Sequence, residues 1–345
     1  MVEGESRKIQ FTGRSTYVVS LPKGWVTDLG LSQGDQVVLV RRGAKALEIH
    51  PPGDAAPARR EEAVVEIGQD EDESAIIRKV ISLYIVGFGS ISLRPRSGRL
   101  SPSQRDAVKG AVRRMLMGAE ITSDSSSGMT VQVLVGLLEL SIGGAFRRMV
   151  HLAKSMSGDA LLALAEGNRA LAEGVILADD EVDRFGFYII RQLAIAIRSE
   201  HVLAEMGLKG AGDCLGYRIA VKNVERTGDH AAYIARDMLE HGRPLRGGVL
   251  ERLREMNEFC LGSLDAACLA LFKEDHAGAE QIISETAGIS AYEERVHEAS
   301  GSLDAGQTYL VRRTSENIRR ISEYASDIAE IVLNLNIEKA LKRPG

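Results

Sequence analysis

Arg218-Ile219-Ala220-Val221-Lys222-Asn223-Val224-Glu225-Arg226-Thr227-Gly228-Asp229-His230-Ala231-Ala232-Tyr233-Ile234-Ala235 is the stretch that decides the fold. At about 100° per residue, Tyr217, Ala220, Val221, Val224, Gly228, Ala231, Ala235 and Met238 share one apolar stripe, as an amphipathic helix in a bundle requires. Glu225 and Asp229 are one turn apart and flank that stripe with Arg218, at the border between core and water. Two carboxylates at i and i+4 project from one strip of helix surface and can share a cation if another helix supplies further oxygens. A solvated acidic edge has the same spacing, so spacing alone leaves both readings open.

The stretch has an echo. Arg218…Asn223-Val224-Glu225-Arg226…Asp229-His230-Ala231…Ile234-Ala235 is matched by Arg312…Asn317-Ile318-Arg319-Arg320…Glu323-Tyr324-Ala325…Ile328-Ala329. Upstream, Met149, Ala153, Met156, Ala160 and Leu164 run into Asn168-Arg169-Ala170. Met256, Cys260, Ser263, Ala267 and Leu271 run into Asp275-His276-Ala277 with the same internal offsets. Fixed offsets of this kind mark an internal repeat. Each copy is expected to form three long helices, over residues 141–167, 169–207 and 213–240, then 247–273, 275–300 and 303–340.

Asp180-Glu181-Val182-Asp183-Arg184, with Glu225-Arg226-Thr227-Gly228-Asp229-His230-Ala231 on the next helix, resembles the two carboxylate signatures of the PhoU family, over roughly residues 140–335. The resemblance implies two three-helix bundles, metal ions held on the helix surface, and a role in damping phosphate import. By position it implies Glu225 and Asp229 as ligands, with Asp183 and Asp179 or Asp180 beside them. Carboxylates without Cys suit Fe, Mn or Mg better than a structural Zn site. The second copy departs from the pattern, because Arg319 stands where the first has Glu225. Glu323 and Asp327 keep the four-residue spacing, and a less complete second site would add Glu293, Glu294 and His297.

Upstream of the repeat, residues 61–138 read as a small α+β domain. Strands are expected at 63–67 and 90–94, with a hairpin from 119–123 and 130–134; one helix starts at the acidic run 70–74 and another at Ser101-Pro102. Gly87-Phe88-Gly89 precedes a strand and opens no helix, so it is not read as a phosphate loop. No chemistry is assigned to this domain. Residues 52–60, rich in Pro and Ala, read as a linker.

At the amino end, residues 7–11 with 16–21, and 36–41 with 46–50, read as two hairpins around Pro22-Lys23-Gly24-Trp25, with Gly30 as a helix stop. About fifty residues of this kind bury too little apolar surface alone, so pairing with a second chain is expected. Gly13-Arg14-Ser15, Val18-Val19-Ser20-Leu21-Pro22-Lys23 and Leu29-Gly30-Leu31-Ser32-Gln33-Gly34-Asp35-Gln36-Val37 resemble the swapped-hairpin AbrB-like domain of transition-state regulators and antitoxins. That implies a two-fold dimer with one basic face on DNA, the candidates being Arg7, Lys8, Arg14, Lys23, Arg41 and Arg42. Such side chains mostly contact phosphates and give salt-dependent binding. The first 50 residues carry seven Lys and Arg against five Asp and Glu, a small excess that also suits a module serving only to dimerise.

The whole composition fits a helix-rich protein of several domains: 345 residues, 26% charged, 5% aromatic, net charge −5. Three cysteines without CxxC spacing argue against a disulfide framework or a thiolate metal site. No signal-peptide pattern or long apolar run is seen, so a cytoplasmic protein without a membrane segment is expected. Nucleophilic catalysis has no recognisable motif. A ferritin-like di-metal site needs two Glu-x-x-His pairs, and only Glu294-Arg295-Val296-His297 is present. The sequence therefore predicts a multidomain, mainly α chain that is not an enzyme. Its parts are a swapped-hairpin module (1–51), a linker (52–60), an α+β domain (61–138) and two PhoU-like three-helix bundles (139–243 and 244–340). The expected role is a homodimeric, phosphate-responsive regulator acting on promoter DNA and on a phosphate transporter or sensor kinase. The alternative is a metal-containing adaptor that does not bind DNA.

Overall fold

The computed structural model describes residues 5–13, 16–42, 46–51, 62–136, 139–241, 243–339 and 341. It divides into two units, Met1–Arg60 and Glu61–Gly345. The architecture is multidomain and mainly α, as the sequence predicts.

In the first unit β1 (Gln10–Thr12) and β2 (Thr16–Val18) form one antiparallel pair, with Gln10 opposite Val18. After α1 (Lys23–Asp28), β3 (Val38–Arg42) and β4 (Ala46–His50) form another, with Val38 opposite His50. Pro22 precedes the helix, and Gly30 follows it at φ 67°, in the left-handed region that glycine tolerates. The first pair is shorter than its sequence suggests: residues 7–9 and 19–21 have strand composition but no partner strand among the described residues. Among the described residues of this unit no Ile, Leu, Val, Phe, Tyr or Trp side chain is buried. Phe11 is 58%, Tyr17 73% and Leu47 72% exposed.

The second unit begins with a four-stranded sheet in the order β5 (Glu62–Ile67), β6 (Ser90–Pro95), β8 (Gly128–Val133), β7 (Ala119–Ser125). β5 and β6 are parallel, joined through α2 (Glu73–Val86), and the other pairs are antiparallel. α3 (Pro102–Met115) connects β6 to β7. Ile76, Val80 and Tyr84 of α2 and Val108 and Val112 of α3 pack with Ile91, Leu93 and Val131 of the sheet into one core. Asp72 caps α2, and Ser101 with Gln104 forms a capping box on α3. Gly87 ends α2 at φ 115°, so Gly87-Phe88-Gly89 is a helix stop.

The helical half follows: α4 (Ile142–Glu166), α5 (Arg169–Ala196), α6 (Glu200–Glu205), α7 (Ala211–His241), α8 (Gly248–Lys273), α9 (His276–Thr286), α10 (Ile289–Ala299) and α11 (Ala305–Asn336). α4, α5 and α7 pack together, as do α8, α9, α10 and α11, and the paired long helices α7 and α11 pack on each other. One continuous core runs from Ile142 to Val332. The repeat is visible in its caps: Asn168 accepts from the Leu171 amide at 3.1 Å, and its counterpart Asp275 accepts from the Gly278 amide at 3.0 Å.

Two expected helices are interrupted. The one expected over 169–207 tightens at its end, where the amides of Arg198 and Ser199 bond three residues back, and Arg198 reaches the Val86 carbonyl at 3.1 Å. The one expected over 275–300 breaks at Ala287 and Gly288. There the Thr286 hydroxyl donates to the Ile283 carbonyl and the Gly288 amide to that of Glu285; threonine and glycine are weak helix formers with little to oppose such turns.

Candidate functional site

The middle of α5 and the middle of α7 meet where two glycines remove side-chain bulk. A methyl group on Gly228 would lie 3.3 Å from Val182 Cγ1 and 3.4 Å from Asp179 Oδ1, and one on Gly186 would lie 3.3 Å from the Met149 methyl. Asp179 is thereby held against the backbone of α7. Asp183 follows one turn along α5, and Glu225 and Asp229 come from α7.

All four carboxylates are half-buried. Burial pushes Asp183 up to about 7, with Glu225, Asp179 and Asp229 adding to the shift. Burial also lifts Asp179 to about 6, helped by Asp229 and opposed by Arg236. Asp229 is raised by burial and by Glu225. Compensation is thin: Lys222 pairs with Glu225 at 2.5 Å and Arg236 approaches Asp179 at 3.9 Å. Among the described residues Asp183 and Asp229 have no ion pair. Asp180 is engaged differently, paired with Arg114 of α3 at 3.5 Å.

The donor set is oxygen only, which fits a hard cation such as Mg, Mn or Fe better than Zn. Among the described residues, however, no three His, Cys, Asp or Glu side chains are drawn close enough to enclose a metal as they stand. The strip therefore has the chemistry of a cation site with its side chains apart.

The residues proposed for a second site are dispersed differently. Glu293 and Glu323 are both held by Arg319, and Arg320 takes the other oxygen of Glu323 at 2.7 Å. Glu293 and His297 line a cavity of about 500 Å³ with Arg312, Glu316 and Arg319. Glu294 is exposed and outside that lining. Asp327 is raised by burial and by Glu330.

Two residues that sequence reasoning passed over are central to the structure. His230 joins the repeats: its Nδ1 lies 2.7 Å from Asn317 Oδ1 and its Nε2 2.9 Å from the Tyr324 hydroxyl. Asn317 donates its amide to the Arg313 carbonyl, which turns Oδ1 toward the ring. The repeat alignment sets His230 opposite Tyr324, and such self-paired positions are where two related helices cross. Arg191 lies on the buried face of α5, 7% exposed. Its guanidinium donates to the carbonyls of Tyr84 at 2.5 Å and Phe88 at 2.8 Å and sits 4.9 Å from the Tyr84 ring centre. The signal was an arginine directly after the apolar run Phe187-Tyr188-Ile189-Ile190 and on the buried side of the helix.

Of the nucleic-acid candidates, Arg7 is paired with Glu5 at 2.6 Å, and Lys8 and Lys23 are exposed. Arg14 and the side chains of Arg41 and Arg42 lie outside the described residues.

Comparison with known proteins follows the same division of the chain. The family model described as PhoU domain matches residues 146–238 and again 253–332. The model described as antidote-toxin recognition MazE, bacterial antitoxin, matches residues 10–57. Among curated proteins none matches. Similar solved structures include the phosphate transport system regulatory protein PhoU from Streptococcus pneumoniae, at 20% identity and TM-score 0.47, covering 60% of this chain and 97% of that one. PhoU from Pseudomonas aeruginosa is similar at 20% identity and TM-score 0.48, covering 57% and 96%.

Proposed function

The chain belongs to the PhoU domain family, and from that membership we propose that it is a phosphate-responsive regulator that damps phosphate uptake and acts on promoter DNA. The observation that carries this reading is the union, in one chain, of two PhoU domains with an antitoxin-like hairpin module. The helical half takes its input from a phosphate transporter or sensor kinase, and the hairpin module carries it to DNA. Such a relay needs two states of unequal affinity for its targets.

In this reading the protein is a cytoplasmic homodimer paired through its amino-terminal module. The large exposed apolar side chains of that unit support a second copy as cover. Among the described residues no helix is long and apolar enough to cross a membrane. The protein is not an enzyme: the acidic strip between α5 and α7 serves to take up a cation, Fe, Mn, Mg or Zn. Asp179, Asp183, Glu225 and Asp229 supply the oxygens, and a bound cation would neutralise carboxylates that otherwise raise one another's pKa.

Genome-wide DNA occupancy at high and low phosphate, with uptake measured in a deletion strain, tests the reading. Promoter occupancy that changes with phosphate and deranged uptake on deletion are expected; occupancy and uptake that ignore phosphate would end it. Metal content of the purified protein should fall when Glu225 and Asp229 become alanine. The second reading, an adaptor that does not bind DNA, is favoured by the pairing of Arg7 with Glu5 and by the module's small positive excess. Absence of a mobility shift at low salt would select it.

A further inference from the structure

The two repeats place different charges at one equivalent position. On α7 Glu225 is followed one turn later by Asp229; on α11 the same positions hold Arg319 and Glu323. Around Glu225 the neighbouring groups are carboxylates of α5 and α7, and among the described residues their ion pairs are with Lys222 and Arg236 at the edge. Around Arg319 the arrangement closes on itself. Its Nε faces Glu293 Oε1 of α10 at 3.4 Å, and its Nη1 contacts Glu323 Oε1. The second oxygen of Glu323 accepts from Arg320 at 2.7 Å. One guanidinium thus joins carboxylates from two helices, the task a shared cation performs, using donors fixed in a planar fork.

We propose that Arg319 is a built-in cation of the second repeat and decides which repeat takes up a metal. The first repeat leaves its carboxylates to an external ion. The second satisfies Glu293 and Glu323 internally, ties α10 to α11 whatever the metal supply, and excludes a divalent ion by occupying its place. The chain therefore responds to a cation on one side only. This rests on the reading that the first repeat binds a metal, but it predicts a different variant and a different count.

The experiment uses the full chain, stripped with chelator and titrated with Mn2+ by equilibrium dialysis. Wild-type protein should bind Mn2+ in a manner abolished by Glu225→Ala with Asp229→Ala. Arg319→Glu, which gives the second repeat the first repeat's residue, should bind about one further Mn2+ per chain, and adding Glu293→Gln and Glu323→Gln should abolish that extra ion. Arg319→Lys, which keeps the charge, should retain the wild-type count. A folded R319E with the wild-type count overturns the proposal and leaves the first site standing. Uptake by R319E but none by wild type overturns the first site, and with it the one-sided response, and leaves standing only the exclusion of an ion from the second repeat by Arg319. Should R319E not fold, Arg319→Gln carries the test: Mn2+ uptake that depends on Glu293 and Glu323 supports the proposal, and none overturns it.

Discussion

Asp183 and Asp179 are carboxyls with folded pKa values of about 7 and about 6, above the ordinary 3.8. A carboxyl raised on folding binds its proton more tightly in the native chain, so the native state loses stability as pH climbs from the unfolded value through the folded one. The window is about pH 4 to 7, and above it the loss is complete. One unit corresponds to about 1.4 kcal/mol, so the pair costs on the order of a few kcal/mol at pH 8 in protein freed of metal. The melting temperature of chelator-treated protein should fall from pH 5 to pH 7.5, and Asp183→Asn should flatten that fall; parallel profiles would show that these carboxyls do not set the pH dependence. Arg191 is a residue of the opposite kind, a buried cation whose role is mechanical. It donates to the Tyr84 carbonyl, which also accepts from the Gly87 amide, and to the Phe88 carbonyl just past the end of α2, and so ties the end of that helix to α5. Arg191→Ala should destabilise the chain by about 2–4 kcal/mol in denaturant melts, and Arg191→Lys should recover only part, because a lysine lacks the fork.

The elements built on local rules were legible. Pro22 and Gly30 around α1, Ser101 at the start of α3 and the stripes of α4, α7, α8 and α11 all act within one or two turns, and each element lies close to its expected span. The breaks after Ala196 and at Gly288 were not legible, because turns that bond three residues back compete with helical bonds on small differences settled by tertiary contacts. The candidate site divides in the same way. Glu225 and Asp229 could be placed on one strip from spacing, and the family resemblance added Asp179 and Asp183. The engagement of Asp180 by Arg114 depends on a contact between the α+β domain and α5 that no local pattern encodes. The long helices also carry a constraint visible only in three dimensions. At Gly216 α7 lies so close to α11 that a methyl group would fall 2.7 Å from Leu335 Cδ1 and 2.9 Å from Ile331 Cγ2. Gly216→Ala gains helix propensity of about 1 kcal/mol but overpacks the crossing by about 1–3 kcal/mol, so a net loss of stability is expected in urea melts. A stabilised G216A would mean that the helices separate at little cost.

At the scale of the whole molecule the two units differ in how they stay folded. Residues 61–345 enclose two apolar cores, one under the sheet and one along the helices. The amino-terminal unit encloses no large apolar side chain among its described residues, and a segment that cannot bury its own surface must find another to fold against. The second copy proposed above would meet that need with the same residues used twice, the usual arrangement in two-fold dimers. The last prediction follows from this difference. Removing residues 1–60 should leave the melting of the helical half within a few degrees of the full chain while converting a dimer to a monomer in sedimentation. The same full-length dimer should bind DNA with an affinity that falls steeply with salt, and Lys8→Ala with Lys23→Ala should reduce the salt slope by about one for each phosphate no longer neutralised. A truncated chain that remains dimeric would place the dimer interface in the helical half. An unchanged salt slope in the double variant would move the DNA-binding face to the arginines at positions 14, 41 and 42.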